Sequence, residues 1–159
     1  MGDKNLNIYL NDHLAGSVAA LELVEYLAKI SSGTALEGFF KNLFNDIQTD
    51  QDTLKELMSR LGIEQSKLRK VTAWFMEKAS AVKMHPNSLE SDPMSLLQAL
   101  EALQLGITGK KGLWRALATM ASSDQRFDGF NFTALETRAE EQIGMVGAQC
   151  LTAAIHALR

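Results

Sequence analysis

Residues 36–61 read LEGFFKNLFNDIQTDQDTLKELMSRL. Leu36, Phe40, Leu43, Ile47, Asp50, Leu54, Leu57 and Leu61 follow one another at steps of four and three, the spacing that lines up one face of an α-helix. The fifth place in this apolar stripe is a carboxylate. Residues 96–121, LLQALEALQLGITGKKGLWRALATMA, copy the pattern with Leu96, Leu100, Leu103, Ile107, Lys110, Trp114, Leu117 and Ala121. Here the fifth place is a lysine. Two core-facing stripes thus carry opposite charges at the same point, and the fold and the candidate site both follow from that pairing.

The rest of the chain reads as helix too. A first helix is expected from Asn5 to Ile30, with Leu6, Leu10, His13, Ser17, Ala20, Val24 and Leu27 on one face. Ser31-Ser32-Gly33 ends it, since glycine tolerates the left-handed turn at a helix C-terminus. Thr34 and Glu37 form a capping box for the second helix, which stops at Gly62. A shorter helix over Gln65–Lys83 presents Leu68, Val71, Phe75, Ala79 and Val82. The two prolines, Pro86 and Pro93, bracket a linker, and Asp92-Pro93 starts the next long helix. Gly106, Gly109 and Gly112 weaken that helix and predict a kink. Thr133 and Glu136 offer a second capping box for the last helix, whose stripe is Leu135, Ala139, Ile143, Val146, Cys150 and Ala153. No alternating strand pattern of useful length occurs.

A chain of 159 residues with 46% hydrophobic content fits one domain, residues 1–159, large enough to bury a core unaided. Its net charge of −3 and lack of a basic tract argue against nucleic acid as a partner. No stretch approaches the 18 apolar residues of a membrane span, and no apolar signal core opens the chain, so a cytoplasmic location is expected. The single cysteine, Cys150, sits among apolar neighbours and reads as a buried, unreactive thiol.

Helices of about 25–28 residues are roughly 40 Å long at 1.5 Å per residue. A short turn makes the first two antiparallel. The thirty-odd residues after Gly62 then return the chain along the bundle, so the second and fourth predicted helices run parallel. Leu10-Asn11-Asp12-His13-Leu14-Ala15-Gly16, Glu101-Ala102-Leu103-Gln104-Leu105-Gly106 and Leu113-Trp114 resemble a group of uncharacterised bacterial ferritin-like proteins. The resemblance implies an all-α, ferritin-like four-helix bundle with an additional short helix in the long crossover. For the metal-oxidising members it also implies a di-iron site, with glutamates on two helices and Glu-x-x-His on the other two. No such pair is present: the residues three after Glu37, Glu56, Glu136, Glu140 and Glu141 are never histidine.

Level-matching along the helices places a polar layer in this bundle. If the first hairpin turns near residues 32 and 33, His13 lies about 3 Å from the height of Asp50. Parallel second and fourth helices put Lys110 one residue from that height, and the last hairpin brings up Glu140, Glu141 and Gln142. His13, Asp50, Lys110 and Glu140 (or Gln142 in its place) are therefore the candidate layer. Three readings compete. The layer is a structural network that fixes helix register. It is the vestige of a metal site that now binds a small polar or anionic ligand beside Lys110. Or it is a working iron or manganese site built from His13, Asp46, Asp50 and Glu140, against which the competing ammonium of Lys110 counts.

Glu101 and Glu22 point away from their stripes and read as surface residues. No phosphate loop, catalytic triad or Cys-x-x-Cys pair occurs. The favoured function is a non-enzymatic bundle binding a small ligand or a protein partner, with no cofactor. The alternative is a metal-dependent ferritin-like oxidoreductase. Ala15, Val18, Ala19, Glu22 and Tyr26 make the outer face of the first helix rather apolar, and Leu151, Ile155 and Leu158 add a stripe beside Cys150. Both predict a homodimer.

Overall fold

The structure, a computed structural model, describes residues 2–66 and 92–159. Among these residues it is all-helical, with four long helices: α1 (Gly2–Ile30), α2 (Ala35–Arg60), α3 (Pro93–Ala121) and α4 (Phe132–Ala157). One 3₁₀ turn, Gln125–Phe127, lies between α3 and α4. The short crossover helix expected over 65–83 lies outside the described residues except at its start. There Gln65 and Ser66 are not helical. His85 and Pro86 also lie outside.

The helix ends follow from local chemistry. Gly33, at φ +81°, closes α1 into the turn, where its N–H donates to Glu37 at 2.8 Å. Glu37 thus reaches the residue before the N-cap, while the Thr34 N–H, which the predicted capping box would pair with it, goes to the Ser31 carbonyl at 3.0 Å. The Thr34 hydroxyl does not cap α2 and donates instead to the Ser31 carbonyl at 2.7 Å. At the other end of α2, Gly62 takes φ +66°, its N–H meets the Ser59 carbonyl and the Ile63 N–H meets that of Met58. That pair of bonds satisfies two of the carbonyls a helix C-terminus leaves open. Asp92 caps α3 through Ser95, with Pro93 in the first turn. The cap of α4 is Asn131, which accepts from the Ala134 N–H at 3.0 Å. The predicted box at Thr133 and Glu136 does not form, because the helix begins before Thr133, at Phe132. Helix α3 runs unbroken through Gly106, Gly109 and Gly112.

Contacts at one end of the bundle fix the topology. Arg60, the last residue of α2, donates to the Asp128 carbonyl at 2.5 Å, and its guanidinium sits 4.5 Å over the Phe130 ring. Arg126 of the same connection reaches Asp3 at the start of α1, 3.5 Å away. The end of α2, the end of α3 and the starts of α1 and α4 therefore meet, and α2 and α3 are parallel. Phe127, Phe130 and Phe132 close this end, with Phe130 stacked on Phe132 and Trp114 beneath. The start of α3 lies at the opposite end of the bundle from the end of α2. The chain just after α2 is pinned by Asn11, buried in α1, which donates to the Glu64 carbonyl at 3.1 Å and accepts from the Ser66 N–H at 2.6 Å.

The packing is uneven. α1 and α2 pack along their length, as do α3 and α4, whereas α1 and α3 touch far less. Both sequence stripes face the core: Phe40, Leu43, Ile47, Asp50, Leu54 and Leu57 are buried on α2, and Leu100, Leu103, Ile107, Trp114 and Leu117 on α3.

Candidate functional site

Asp50, only 2% exposed, is the centre of the site. Helix periodicity places it on the core face of α2, between Ile47 and Leu54, and three side chains from the other hairpin converge on its carboxylate. Lys110 of α3 donates from Nζ to Oδ2 at 2.6 Å. Gln142 of α4 donates from Nε2 to the same oxygen at 3.1 Å and accepts from Lys110 Nζ at 2.5 Å. Arg138, one helical turn before Gln142, donates to Oδ1. Burial pushes the Lys110 ammonium below its ordinary value, against the neighbouring Asp50 charge, which raises it. The charge of the layer is uneven: two cations face one carboxylate, with Asp46 acting on Lys110 from a half-buried position.

The structure brings Asp50 and Lys110 into contact and places His13 nearby without a bond to either. His13 is half-buried on α1 and packs edge-on against Tyr9, with ring centroids 4.7 Å apart. Burial lowers its pKa, and the Asp12 charge partly opposes this. Glu140 does not join the layer. It is exposed and pairs with Lys111 on the surface. Two residues further along α4 is a turn of about 200°, which carries Gln142 to the core face and leaves Glu140 outside. Arg138 escaped the level-matching, which compares heights of backbone positions and ignores a side chain long enough to reach along the axis. Its place one turn from Gln142 was the available signal.

The four residues of the alternative metal set do not fit a metal. Both oxygens of Asp50 are engaged by Lys110, Gln142 and Arg138, and Glu140 points to solvent. Among the described residues no group of three His, Cys, Asp or Glu side chains is placed to share an ion. Cys150 is buried, with its thiol 3.8 Å from Gln104 Oε1, and burial raises its pKa. Glu22 and Glu101 are exposed, as read from the sequence.

Beside the layer lies a partly enclosed cavity of about 340 Å³, in the sparse contact between α1 and α3. Gly16 and Ala20 of α1 and Gly106 of α3 keep its walls thin. Ile47 and Leu54 of α2 and Ile107, Leu113 and Trp114 of α3 make it mainly apolar. Its polar lining is Asp50 and Lys110 together with Asp12, His13, Ser17 and Gln51. Gln51 and Ser17 satisfy each other, with Gln51 Nε2 donating to Ser17 Oγ at 2.9 Å.

Two outcomes test this geometry. Asp50→Ala leaves Lys110 and Arg138 without their shared anion, and chemical denaturation is expected to show a loss of about 3 kcal/mol. This is the lower end of the usual range for a broken buried pair, because Arg138, with 37% of its side chain exposed, turns to water. The double variant Asp50→Leu/Lys110→Met is expected to recover most of it; an unchanged single variant would show the layer to be open to solvent. The second concerns His13. Its folded pKa lies below 6.5, so between the two values the unfolded chain binds more protons and stability rises with pH. Unfolding free energy is expected to fall as the pH drops below 6.5, and His13→Gln should flatten that slope.

No family model, no curated protein and no solved structure matches this chain.

Proposed function

We propose that this protein is a ferritin-like bundle without a working metal centre, which binds a small molecule in the cavity between α1, α2 and α3. The observation that carries this reading is the position of the cavity against the Asp50 layer. A mainly apolar space with a few convergent polar groups, at the small end of the usual 300–1,000 Å³ for ligand sites, is the common form of a small-molecule pocket. The parallel run of α2 and α3 supports the ferritin-like assignment. In place of a metal, the layer has a lysine tethered to α3, whose ammonium already neutralises Asp50.

Gly16 provides the test. It lines the cavity, and a Cβ at this position meets nothing within 4 Å. Gly16→Leu therefore grows into open space while removing a glycine from a helix interior, which is worth roughly 0.5–1 kcal/mol of stability. In calorimetry, ethylbenzene is expected to bind the wild-type protein and not the Gly16→Leu variant, whose melting temperature stays equal or rises. Equal binding by both proteins would place the ligand elsewhere. Stoichiometric iron or manganese in protein purified without chelators, lost with Asp50→Ala, would favour the oxidoreductase reading instead.

The same reading includes a homodimer, and its supporting surface lies away from where the α1 stripe would put it. On the outer face of α1, Ala19 is buried and Ala15 and Tyr26 are half-buried, which leaves Val18 as the exposed apolar side chain of that face. The exposed apolar stripe is at the C-terminal end of α4, where Leu151 and Ile155 are 73% and 50% exposed and Leu158, the residue after the helix, is 70% exposed. Their steps of four and three form a helix seam, with Leu105 of α3 also exposed. A two-fold axis that sets this seam against its copy covers it in both chains. Light scattering at micromolar concentration is expected to give twice the 17.5 kDa chain mass, and Leu151→Glu/Ile155→Lys to return it to that mass. A 17.5 kDa species in the wild type would refute the dimer.

A further inference from the structure

We infer that two copies of this chain pair through α4 in antiparallel fashion, with the two-fold axis passing between Ala148 and Leu151. This rests on the proposed homodimer and names the register of its contact. The core face of α4 carries Ala139, Gln142, Val146, Cys150 and Ala153. The opposite face carries Glu141, Gly144, Ala148, Leu151, Ile155 and Leu158, all exposed. Their steps are three, four, three, four and three, the repeat of a coiled-coil seam, and that order is the same from either end. Side-chain size differs from end to end. The first half holds a glycine and an alanine, and a Cβ at Gly144 meets nothing within 4 Å. The second half holds two leucines and an isoleucine.

Reversing one copy sets the large half of each seam on the small half of the other. Leu151 then lies over Ala148 of the other copy, Ile155 over Gly144, and Leu158 over the aliphatic stem of Glu141. Each layer thus matches a large residue with a smaller or a flexible one, as interdigitated packing requires, and the two-fold axis repeats every contact. Charge runs the same way. Arg159, past the helix end, comes level with Glu140 and Glu141 of the other copy. Glu140 is held by Lys111, whereas Glu141 and Arg159 are exposed and have no ion-pair partner among the described residues. A parallel pairing would instead oppose glycine to glycine and alanine to alanine, leaving two layers underfilled, and would set Glu141 against Glu141. Moving the antiparallel axis one turn on, to between Leu151 and Ile155, would carry Gly144 past the end of the other helix and leave Arg159 beside Gly147. Leu105 of α3, 57% exposed, stands at the height of the proposed axis, since its neighbour Gln104 lies against Gly147 and Cys150.

Disulfide cross-linking tests the register, in a Cys150→Ala background that removes the single native thiol. Gly144→Cys and Ile155→Cys chains are expected to cross-link when mixed, because these positions face each other across the axis. Neither is expected to cross-link alone, since each stands roughly 16 Å along the helix from its own copy at 1.5 Å per residue. Should Cys150→Ala fail to fold, the same substitutions are read in the native background, with the unsubstituted chain as the blank. As a second measurement, Ala148→Leu is expected to raise the dimer dissociation constant about tenfold in sedimentation equilibrium, because it drives a second large side chain against Leu151. Self-cross-linking of either single variant, or an Ala148→Leu dimer as tight as the wild type or tighter, would overturn the antiparallel register and leave the dimer standing. A dimer that gives no cross-link in any combination would overturn the α4 contact. A wild-type chain that sediments at 17.5 kDa would overturn the register and the dimer together.

Discussion

A carboxylate buried in a helix bundle must be satisfied from the helices that surround it, and Asp50 imposes that condition on the whole fold. No side chain of its own helix serves it; Lys110 of α3 and Gln142 and Arg138 of α4 do. Each hairpin alone has a reason to form, in a short turn and two apolar stripes. Neither hairpin alone tolerates this layer, because separating them strands an anion on one side and a cation pair on the other. Apolar contacts slide at little cost, whereas the bonds to Asp50 hold at one register. The carboxylate thus contributes less to net stability than to the height and order in which α2 meets α3 and α4.

That register has a cost in packing, and the cavity is where it appears. The second hairpin is close-packed: at Gly147 an added Cβ would come within 2.9 Å of the Gln104 side chain. Across the bundle, α1 faces α3 with Gly16 and Ala20, and α3 answers with Gly106. Small residues on both walls would normally bring helices together. Here α1 is held out by its own packing on α2 and by Asn11, which anchors it to the departing chain at Glu64 and Ser66. The gap is the result of these constraints acting together, and it opens beside the charged layer.

Helix periodicity made much of this legible. The stripes on α2 and α3 place Asp50 and Lys110 inward at matching positions, and rise per residue is enough to set them level once α2 and α3 are taken as parallel. The same arithmetic could not say that the His13 ring turns to Tyr9, since height carries no information about direction around the axis. Glu140 and Gln142 differ by two residues and by slightly more than half a turn, so the phase of α4 had to be known to choose between them. The cap at Asn131 was hidden because Thr133-x-x-Glu136 offered a stronger pattern two residues later. Arg138 was missed for the most general reason: a guanidinium at the end of a long chain reports a position well away from its own Cα.

The chemistry open to the site follows from which groups are already engaged. A metal centre of ferritin type needs carboxylates with free oxygens, and among the described residues the buried carboxylate, Asp50, is engaged at both oxygens by nitrogen donors. Lys110 holds the place of a cation permanently, since it is tethered to α3 and cannot exchange with solvent ions. A free carboxylate attracts cations from solvent, whereas Asp50 is already met from within the bundle, and that difference traces to the lysine standing opposite it in the second stripe.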